Sequence, residues 1–324
     1  MDRAPPRNPA AASHMLFRDF EAYAEAARGW DLETQLLERG GFQADLFYYV
    51  AAGQAFQLAR SRYYSRVHQT GAAPRGCITF GITCHAEGAV QWRGMTLHMD
   101  QLMVFPDQGE LDVVTPTAHD VILLSLPADL VHQTAHHLQA PHILPSLSTA
   151  NAYTCTPQQA RSIRFFMHRL EAVLLQSPAL PLSMKLHVDL AEYLVGFLSE
   201  TTPPPRHREI TFRERSARQA VSLIMQNCQD ITTVSDLCRL TRTSERTLQK
   251  GFKTLYGISP KQYLQAWRLN RVRQALHQEG PEAVIADTAN QWGFWHMGQF
   301  AADYRKLFGE LPSQTAGKTA REKR

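Results

Sequence analysis

The sequence predicts an α+β protein of two domains, with a β-rich N-terminal half followed by helices and then an all-helical C-terminal domain. Three observations lead to this prediction. The chain has 324 residues, which suits two domains of about 100–200 residues each. The hydrophobic pattern changes from short strand-like segments to helical spacing near Thr156. Finally, a proline run at residues 203–205 separates two halves of opposite net charge.

The composition is that of an ordinary globular protein, with 44% hydrophobic and 20% charged residues, and it excludes bulk disorder. No stretch approaches the ~18 uninterrupted apolar residues of a membrane helix, and the first residues lack the apolar core of a secretory signal. We therefore expect a cytoplasmic protein with no membrane partner. The five cysteines are scattered and odd in number, which favours reduced thiols over a disulfide framework.

Residues 1–14 are rich in Ala, Pro and Asn, and we predict a disordered leader there. The first domain then covers 15–201. Between Phe42 and Leu126, short apolar segments separated by Gly, Pro and Asp predict about eight strands in a small barrel or sandwich.

Two stretches with helical spacing follow the strands and predict two amphipathic helices. These helices could pack on each other and on the strands, or they could form the seam of a homodimer; the sequence leaves both interpretations open. Their apolar stripes are Ile163, Phe166, Met167, Leu170 and Leu174, and then Leu186, Leu190, Tyr193, Leu194 and Phe197.

Charge is unevenly divided about the predicted linker, residues 202–209. Residues 210–324 hold 18 Lys and Arg against 10 Asp and Glu, a net charge of +8, whereas residues 1–209 hold 16 against 20, a net charge of −4. A basic domain joined to an acidic one is expected when one domain meets a polyanion such as nucleic acid. A basic surface that only keeps the protein soluble is the alternative.

The basic region contains a short helix, a polar turn and a second helix. Thr233 and Asp236 are spaced as a capping box for the first helix. The turn at residues 241–243 precedes a second helix that opens at Ser244. The second helix has the apolar stripe Leu248, Phe252 and Leu255, so the segment is predicted to be a helix-turn-helix.

The face opposite Leu248 carries a row of hydrogen-bond donors: Arg246, Gln249, Lys250 and Lys253. Such a helix fits the major groove of double-stranded DNA, where Arg, Lys and Gln can read base edges. We predict that Arg246, Gln249 and Lys250 read bases, that Lys253 holds a phosphate, and that Ser244 contacts DNA at the helix start. A solvated charged face is the alternative interpretation.

The pattern recurs once. A helix is predicted from Pro281 to a break at Gly293, and the next helix has the inward stripe Phe300, Tyr304, Leu307 and Phe308. Ser259 and Pro260 open a helix between the two units, which spans roughly 27 Å at 1.5 Å per residue. That connector could hold the two recognition helices ~34 Å apart, one DNA turn, in successive major grooves.

The second recognition helix presents smaller side chains outward: Gly298, Ala301, Ala302 and Arg305. We predict that Arg305 holds a phosphate, that His296 and Gln299 add polar contacts, and that Gly298 and Ala302 allow close approach to DNA. The first motif would then supply most base specificity and the second mainly anchoring. A helix turned differently against its core is the alternative.

The C-terminal ~110 residues resemble the double helix-turn-helix domain of the AraC/XylS transcriptional regulators. The residues that carry the resemblance are Ser244, Arg246, Leu248, Phe252, Gly257, Ser259, Pro260, Tyr263, Leu264, Arg268, Leu269, Leu276, Ile285, Ala289, Gly293, Phe294, Phe300, Tyr304, Phe308, Gly309 and Pro312. Cys238 stands where the family usually has alanine, and Tyr304 where it usually has phenylalanine. The run from Gly293 to Phe308 is also similar to the branch that contains ethanolamine-operon regulators.

The resemblance implies a cupin-like N-terminal β-barrel that binds a small-molecule effector, following helices that dimerise, and an activator that contacts RNA polymerase. It identifies no effector-binding residue. The polar or aromatic candidates on predicted strands are Tyr64, His85, Trp92 and Asp107, each of which could equally be structural or exposed. An effector-responsive activator of a metabolic or catabolic operon is therefore expected, with no cofactor.

Two other functions are considered. The N-terminal domain could dock a protein partner in place of a metabolite, or it could be a cupin-type metal enzyme. The strand histidines stand singly, and the helical pair at His132 and His136, with adjacent His137, offers too few ligands for a metal site. We therefore expect neither a bound metal nor catalytic residues. The strand histidines are His68, His85, His98 and His119.

Overall fold

The structure is a computed structural model that describes residues 11–27, 29–51, 56–149, 152–177, 183–201, 210–227, 231 and 233–322. The chain folds into two compact units, each with most of its contacts inside itself. The first comprises residues 1–33, 43–64 and 69–208, and the second comprises 34–42, 65–68 and 209–324. Within the described residues, no helix is both long enough and apolar enough to cross a membrane. The predicted linker, 202–209, lies outside the described residues.

The described part of the chain contains twelve strands. They are β1 (Ala11–Phe17), β2 (Asp31–Leu36), β3 (Ala44–Val50), β4 (Gln57–Tyr63), β5 (Val67–Ala72), β6 (Cys77–Ala86), β7 (Val90–Trp92), β8 (Met95–Leu97), β9 (Gln101–Phe105), β10 (Glu110–Val114), β11 (His119–Pro127) and β12 (Ala152–Thr154). Seven form one sheet in the order β1-β3-β4-β11-β6-β9-β12, and five form another in the order β2-β5-β10-β7-β8.

The predicted α+β class is confirmed, with a β-sheet domain before a helical domain. At the level of the sheets, the strands form two separate sheets that do not join into one closed barrel. Successive strand residues point to opposite faces. On the central strand β11, Ile122, Leu124 and Leu126 therefore join the main apolar cluster, whereas His119, Val121 and Leu123 line a cavity.

The predicted leader of residues 1–14 overlaps the first strand. Residues 11–14 belong to β1, which pairs antiparallel with β3 from Ala11 opposite Val50 to Phe17 opposite Ala44. Without β1, the edge of β3 would present unpaired backbone N–H and C=O groups. Backbone pairing with β1 satisfies these groups and does not depend on the side chains of the added strand, so an Ala- and Pro-rich composition did not prevent strand formation. Residues 1–10 lie outside the described residues.

Five α-helices accompany the sheets: α1 (Phe20–Ala26), α2 (Ala128–His137), α3 (Leu144–Thr149), α4 (Pro157–Gln176) and α5 (Met184–Glu200). A 3-10 turn at Pro141–Ile143 precedes α3. The two predicted amphipathic helices are α4 and α5, and Thr156 and Ser183 cap them. Their buried stripes join the same apolar cluster as the seven-stranded sheet, which supports the packing interpretation; the homodimer seam stays a prediction.

The second unit contains seven α-helices in the described residues: α6 (Phe212–Asn227), α7 (Val234–Leu240), α8 (Glu245–Tyr256), α9 (Pro260–Glu279), α10 (Ile285–Gln291), α11 (Met297–Phe308) and α12 (Pro312–Glu322). A 3-10 turn at Gly280–Glu282 separates α9 from α10. The second motif thus differs from the prediction at its start, because the predicted helix from Pro281 is a 3-10 turn and α10 begins only at Ile285. Ala283 and Val284 have extended backbone between the two.

The second unit also takes in two short segments that the sequence placed inside a continuous first domain, 15–201. The buried Asn270 amide of α9 accepts a hydrogen bond from the Leu36 backbone N–H and donates one to the Leu36 carbonyl, both at 3.1 Å. His68 Nδ1 lies 2.8 Å from the Tyr263 hydroxyl, also buried. These buried contacts join segments 34–42 and 65–68 to α9, and both segments group with the helices.

Candidate nucleic-acid interface and effector cavity

The first helix-turn-helix consists of α7 and α8, as predicted. Thr233 and Asp236 form the capping box of α7. Ser244 caps α8 by accepting a hydrogen bond from the Thr247 backbone N–H at 3.3 Å. Between them, Arg242 adopts the left-handed conformation with φ +50°, which reverses the chain within the short turn. These local contacts fix where α8 begins.

The apolar stripe of α8 is buried, as predicted: Leu248, Phe252 and Leu255 are at most 3% exposed. A glycine sets how closely this helix packs. A Cβ added at Gly251 would lie 2.3 Å from the carbonyl oxygen of Arg213 in α6. Because this contact is with backbone, a larger residue could not be accommodated by a side-chain rotation. Gly251 therefore lets α8 pack directly on α6.

The opposite face of α8 presents its polar residues to solvent. Arg246, Gln249, Lys250 and Lys253 are all exposed, so the predicted donor row lies on one accessible face. Two members already have partners within the helix. Gln249 Nε2 donates to Glu245 Oε1 at 3.2 Å, and Lys253 Nζ donates to the Gly257 carbonyl at 2.9 Å. Lys253 thus also caps the C-terminus of its own helix.

The second motif consists of α10 and α11, and its predicted inward stripe is buried. Tyr304 is fully buried, and its hydroxyl lies 2.8 Å from Thr315 Oγ1. That hydrogen bond accounts for a tyrosine at this core position. The other buried members are Phe300, Leu307 and Phe308.

The outward face of α11 carries five of the predicted DNA-contacting residues, all exposed: Gly298, Gln299, Ala302, Arg305 and, at the N-cap, His296. Ala301 is half-buried, so this alanine belongs to the flank of the helix. A Cβ added at Gly298 would have no neighbour within 4 Å. Packing inside the chain therefore does not require glycine there.

Sequence reasoning missed one exposed aromatic side chain beside this face. Trp295 directly precedes the N-cap of α11 and is 72% exposed. The neighbouring Phe294 packs against Phe300, with ring centroids 5.2 Å apart. The sequence did contain a signal. Trp295 directly follows the core residue Phe294 and does not belong to the inward apolar stripe of α11, so its side chain could be expected at the surface.

The connector between the motifs is α9, whose 20 residues span about 30 Å at 1.5 Å per residue. Ser259 and Gln262 form its capping box, and Pro260 occupies its first turn. Arg268 Nη2 donates to the Ile231 carbonyl at 2.5 Å, which ties α9 to the segment before α7. A long, buried and capped connector is suited to holding two motifs at a fixed spacing.

A separate cavity lies in the first unit, lined by side chains from both sheets. Its volume is about 60 Å³. Of the four sequence candidates for effector binding, only Trp92 lines it. Tyr64 is exposed and donates to Asp45, His85 is exposed beside Glu87, and Asp107 accepts from the Gly76 backbone N–H.

The polar groups of the cavity fall into a paired set and an unpaired set. The Tyr23 hydroxyl lies 2.5 Å from that of Tyr63 and 2.7 Å from Ser61 Oγ. Burial raises the pKa of both tyrosines above the ordinary value of 10.0. Trp92 Nε1 and His119 Nδ1 are buried and have no hydrogen-bond partner within the described residues. Burial lowers the pKa of His119 from 6.5 to about 4, so its imidazole is neutral at pH 7.

The histidines considered as metal ligands do not gather into one site within the described residues. His132, His136 and His137 are exposed on α2, and His68 is bonded to Tyr263. Across the described ranges, no cluster of three or more His, Cys, Asp or Glu side chains is placed to hold a metal ion.

The sequence similarity to known proteins lies mainly in the C-terminal domain. Residues 237–318 match the family described as "Helix-turn-helix domain". The probable thc operon regulatory protein of Rhodococcus erythropolis is 34% identical over 98 residues, 30% of each chain. The XylDLEGF operon transcriptional activator of Pseudomonas putida is 32% identical over 108 residues, 33% of this chain and 34% of that protein. This chain thus spans about a third of the length of these curated relatives.

Matches to solved structures extend over more of the chain. The AraC-like transcriptional activator CuxR is 15% identical, and the match covers 86% of this chain and 100% of that one with a TM-score of 0.44. The local geometry and the family match together define a DNA-binding module with two helix-turn-helix motifs. The C-terminal domain is thus similar to the helix-turn-helix domains of AraC/XylS-type transcriptional regulators.

Proposed function

We propose that this chain is a sequence-specific DNA-binding transcription regulator, an effector-responsive activator of a metabolic or catabolic operon that acts in the cytoplasm. The observation that carries the proposal is the exposed donor face of α8 in a helix-turn-helix whose apolar stripe is buried. A second helix-turn-helix follows along the chain. The two curated relatives are named as operon regulators, which supports the same class. Double-stranded DNA and RNA polymerase are the proposed macromolecular partners.

On α8, Arg246, Gln249 and Lys250 read base edges in the major groove, where Arg and Lys pair with guanine and Gln with adenine. Ser244 lies at the helix start, beside the backbone N–H groups that favour phosphate. Lys253 holds a phosphate although its ammonium already donates to Gly257, because a lysine has three donors.

On α11, Arg305 holds a phosphate, and His296 and Gln299 supply polar contacts. Gly298 and Ala302 bring the helix close to DNA, and the open space around Gly298 supports this role. Trp295 joins this surface, since an exposed indole at a helix start can pack on sugar or on thymine methyl groups. The first motif then contributes most base selection and the second mainly anchoring.

The effector of the proposed regulator is a small molecule that binds in the first unit. The mostly apolar cavity, whose lining includes two residues with unpaired polar atoms, supports this choice over control by a protein partner, because ligand sites are concave, mostly apolar and carry a few directed polar groups.

The test is selection of binding sites from random DNA with the full chain, followed by titration of the selected site at several salt concentrations. We expect an enriched motif, and an affinity that falls linearly on logarithmic axes with a slope near −0.9 for each phosphate contacted. An affinity that does not change with salt, or the absence of any enriched sequence, would refute the proposal.

A further inference from the structure

Two short segments from the N-terminal half of the chain, 34–42 and 65–68, group with the helices of the second unit. We call these two segments together the brace. They are bonded to each other, since the Ser65 hydroxyl donates a hydrogen bond to the Gly41 carbonyl at 2.8 Å. The brace is therefore one connected structure rather than two independent loops.

The brace donates two backbone hydrogen bonds to the end of α11, the recognition helix of the second motif. The last four carbonyls of an α-helix have no partner within the helix. In α11, the Lys306 carbonyl accepts a hydrogen bond from the Gly40 N–H at 3.1 Å, and the Leu307 carbonyl accepts one from the Gly41 N–H at 2.9 Å. The last turn of α11 cannot leave the brace without losing both bonds.

Both donors are glycines with left-handed backbone, but their surroundings differ. The φ angle is +115° at Gly40 and +85° at Gly41, a region in which other residues are strained. A Cβ added at Gly41 would lie 3.0 Å from the Phe308 carbonyl oxygen, whereas one added at Gly40 would have no neighbour within 4 Å. Gly41 thus lets the brace approach the backbone of α11 closely.

The other end of the brace is anchored on α9, the connector between the motifs. The buried Asn270 amide of α9 bonds both backbone groups of Leu36. α9 also contacts α11 directly, because Gln265 Nε2 donates to Asp303 Oδ2 at 2.9 Å. The direct contact involves the middle of α11, whereas the brace holds the C-terminal end of that helix relative to α9.

The last turn of α11 also carries Arg305, which we propose to hold a phosphate. Arg305 is exposed and directly precedes Lys306, whose carbonyl accepts a hydrogen bond from the brace. A hydrogen bond between a guanidinium and a phosphate depends steeply on distance and angle. A displaced last turn would therefore weaken this contact without changing Arg305 itself.

We propose that Gly41 is a positioning residue for DNA binding. Together with Gly40, it fixes the last turn of α11 so that Arg305 meets a phosphate of the DNA. Gly41 acts through α11 and does not touch DNA. This inference rests on the proposed DNA-binding function and extends it to a segment from the N-terminal half of the chain.

The test uses the full chain, the DNA site selected from the random pool, and a pair of matched variants. Gly41→Ala and Gly40→Ala both place a side chain on left-handed backbone, but only the Cβ at residue 41 meets α11. We expect Gly41→Ala to weaken binding and to reduce the salt slope by about 1, the effect of losing one phosphate contact. Gly40→Ala should keep the slope of the natural chain. An equal loss in Gly40→Ala would overturn the proposal, as would an unchanged slope in Gly41→Ala.

A double-mutant cycle tests whether Gly41 acts through Arg305, because coupled residues have non-additive effects. Arg305→Ala should weaken binding markedly in the natural chain but little in Gly41→Ala. Lys253→Ala removes a proposed phosphate contact of α8 instead, and its fold-loss should be the same in both backgrounds. The same fold-loss for Arg305→Ala in both backgrounds would refute the positioning role.

A measurement on the natural chain does not depend on how well Gly41→Ala folds. Coupling is reciprocal, so DNA that requires the braced α11 must also stabilise the brace. We expect amide hydrogen exchange at Gly40 and Gly41 to slow when the selected DNA is added, and to slow more than at the strand amides of β9. Equal changes at both places would overturn the proposal. Absence of DNA binding by the natural chain would instead refute the proposed regulator.

Discussion

At the scale of single residues, the two ends of the α8 donor row have different environments. Arg246 is exposed near the helix start and is free to reach a base edge. Lys253 is exposed one turn from the helix end and donates to the Gly257 carbonyl. A base-reading residue affects sequence preference, whereas a phosphate-binding residue affects all sequences alike. Substitutions at these two positions should therefore give different binding patterns.

We expect Arg246→Ala to weaken binding to the selected site by about 1–3 kcal/mol and to relax preference at one base pair. Lys253→Ala should weaken selected and random DNA by the same factor and reduce the salt slope by about 1. Competition titrations with both DNAs measure the effects, with each variant's Tm as a control for the lost cap. Equal losses on both DNAs for Arg246→Ala would contradict its base-reading role.

His119 leads to a prediction about pH. Burial lowers its folded pKa to about 4 from 6.5; nearby Asp120 opposes the shift and His85 adds to it. Below pH 6.5 the unfolded chain takes up a proton that the folded chain refuses, so stability falls as pH drops towards 4. The loss is about 1.4 kcal/mol per pH unit within that window. Urea unfolding at pH 7 and pH 5 should show it.

A matched variant checks this assignment, because other groups also titrate in the window. His119→Gln keeps a polar side chain but cannot be protonated, so its stability should change less between pH 7 and pH 5 than that of the natural chain. An identical pH dependence in both proteins would show that His119 is not the source.

At the scale of elements, two glycines on the recognition helices have opposite surroundings. Gly251 of α8 faces the backbone of α6, and an added Cβ would lie 2.3 Å from the Arg213 carbonyl oxygen. Gly298 of α11 faces open space. The first glycine is explained by packing within the domain, and the second is explained by the proposed approach to DNA.

Alanine at each position should separate these two explanations. Gly251→Ala should destabilise the protein by about 1–3 kcal/mol, the usual cost of overpacking. Gly298→Ala should leave stability unchanged or raise it by up to about 1 kcal/mol, yet weaken DNA binding. Denaturant unfolding and DNA titration of both variants provide the measurements. Unaltered DNA affinity in Gly298→Ala would argue against close approach.

At the scale of the whole molecule, the two motifs carry unequal sets of side chains on related frameworks. The exposed face of α8 offers long donors, and that of α11 offers mainly small residues with Arg305 near its end. Both helices end at a left-handed glycine, Gly257 and Gly309. The motifs therefore repeat in backbone but differ in the chemistry of their exposed faces.

This asymmetry predicts how the two half-sites of an operator should tolerate change. Randomising the half-site bound by α8 should cost more affinity than randomising the one bound by α11, which should retain at most an A·T preference. Binding of the full chain to two partly randomised DNA pools measures the difference. Stronger selection in the α11 half-site would reverse the proposed division of roles.

The sequence alone determined the local features of this protein. The caps at Thr233, Ser244 and Ser259, the buried stripe of α8 and the exposed donor row all follow from residue types at helical spacing, because capping and amphipathicity depend on neighbours within one or two turns. The predicted base-reading roles depend on that same local pattern and stay predictions.

Only the tertiary structure decided the features that join distant parts of the chain. Residues 11–14 became a strand because β3 offered a free edge. Leu36 joined the helical unit because Asn270, 234 positions away, bonds its backbone. Trp92 became a cavity residue, unlike the other three candidates, because residues of the two sheets, His119 and Tyr63 among them, line the same cavity. Such contacts depend on pairing between remote segments, which no periodicity within a segment encodes.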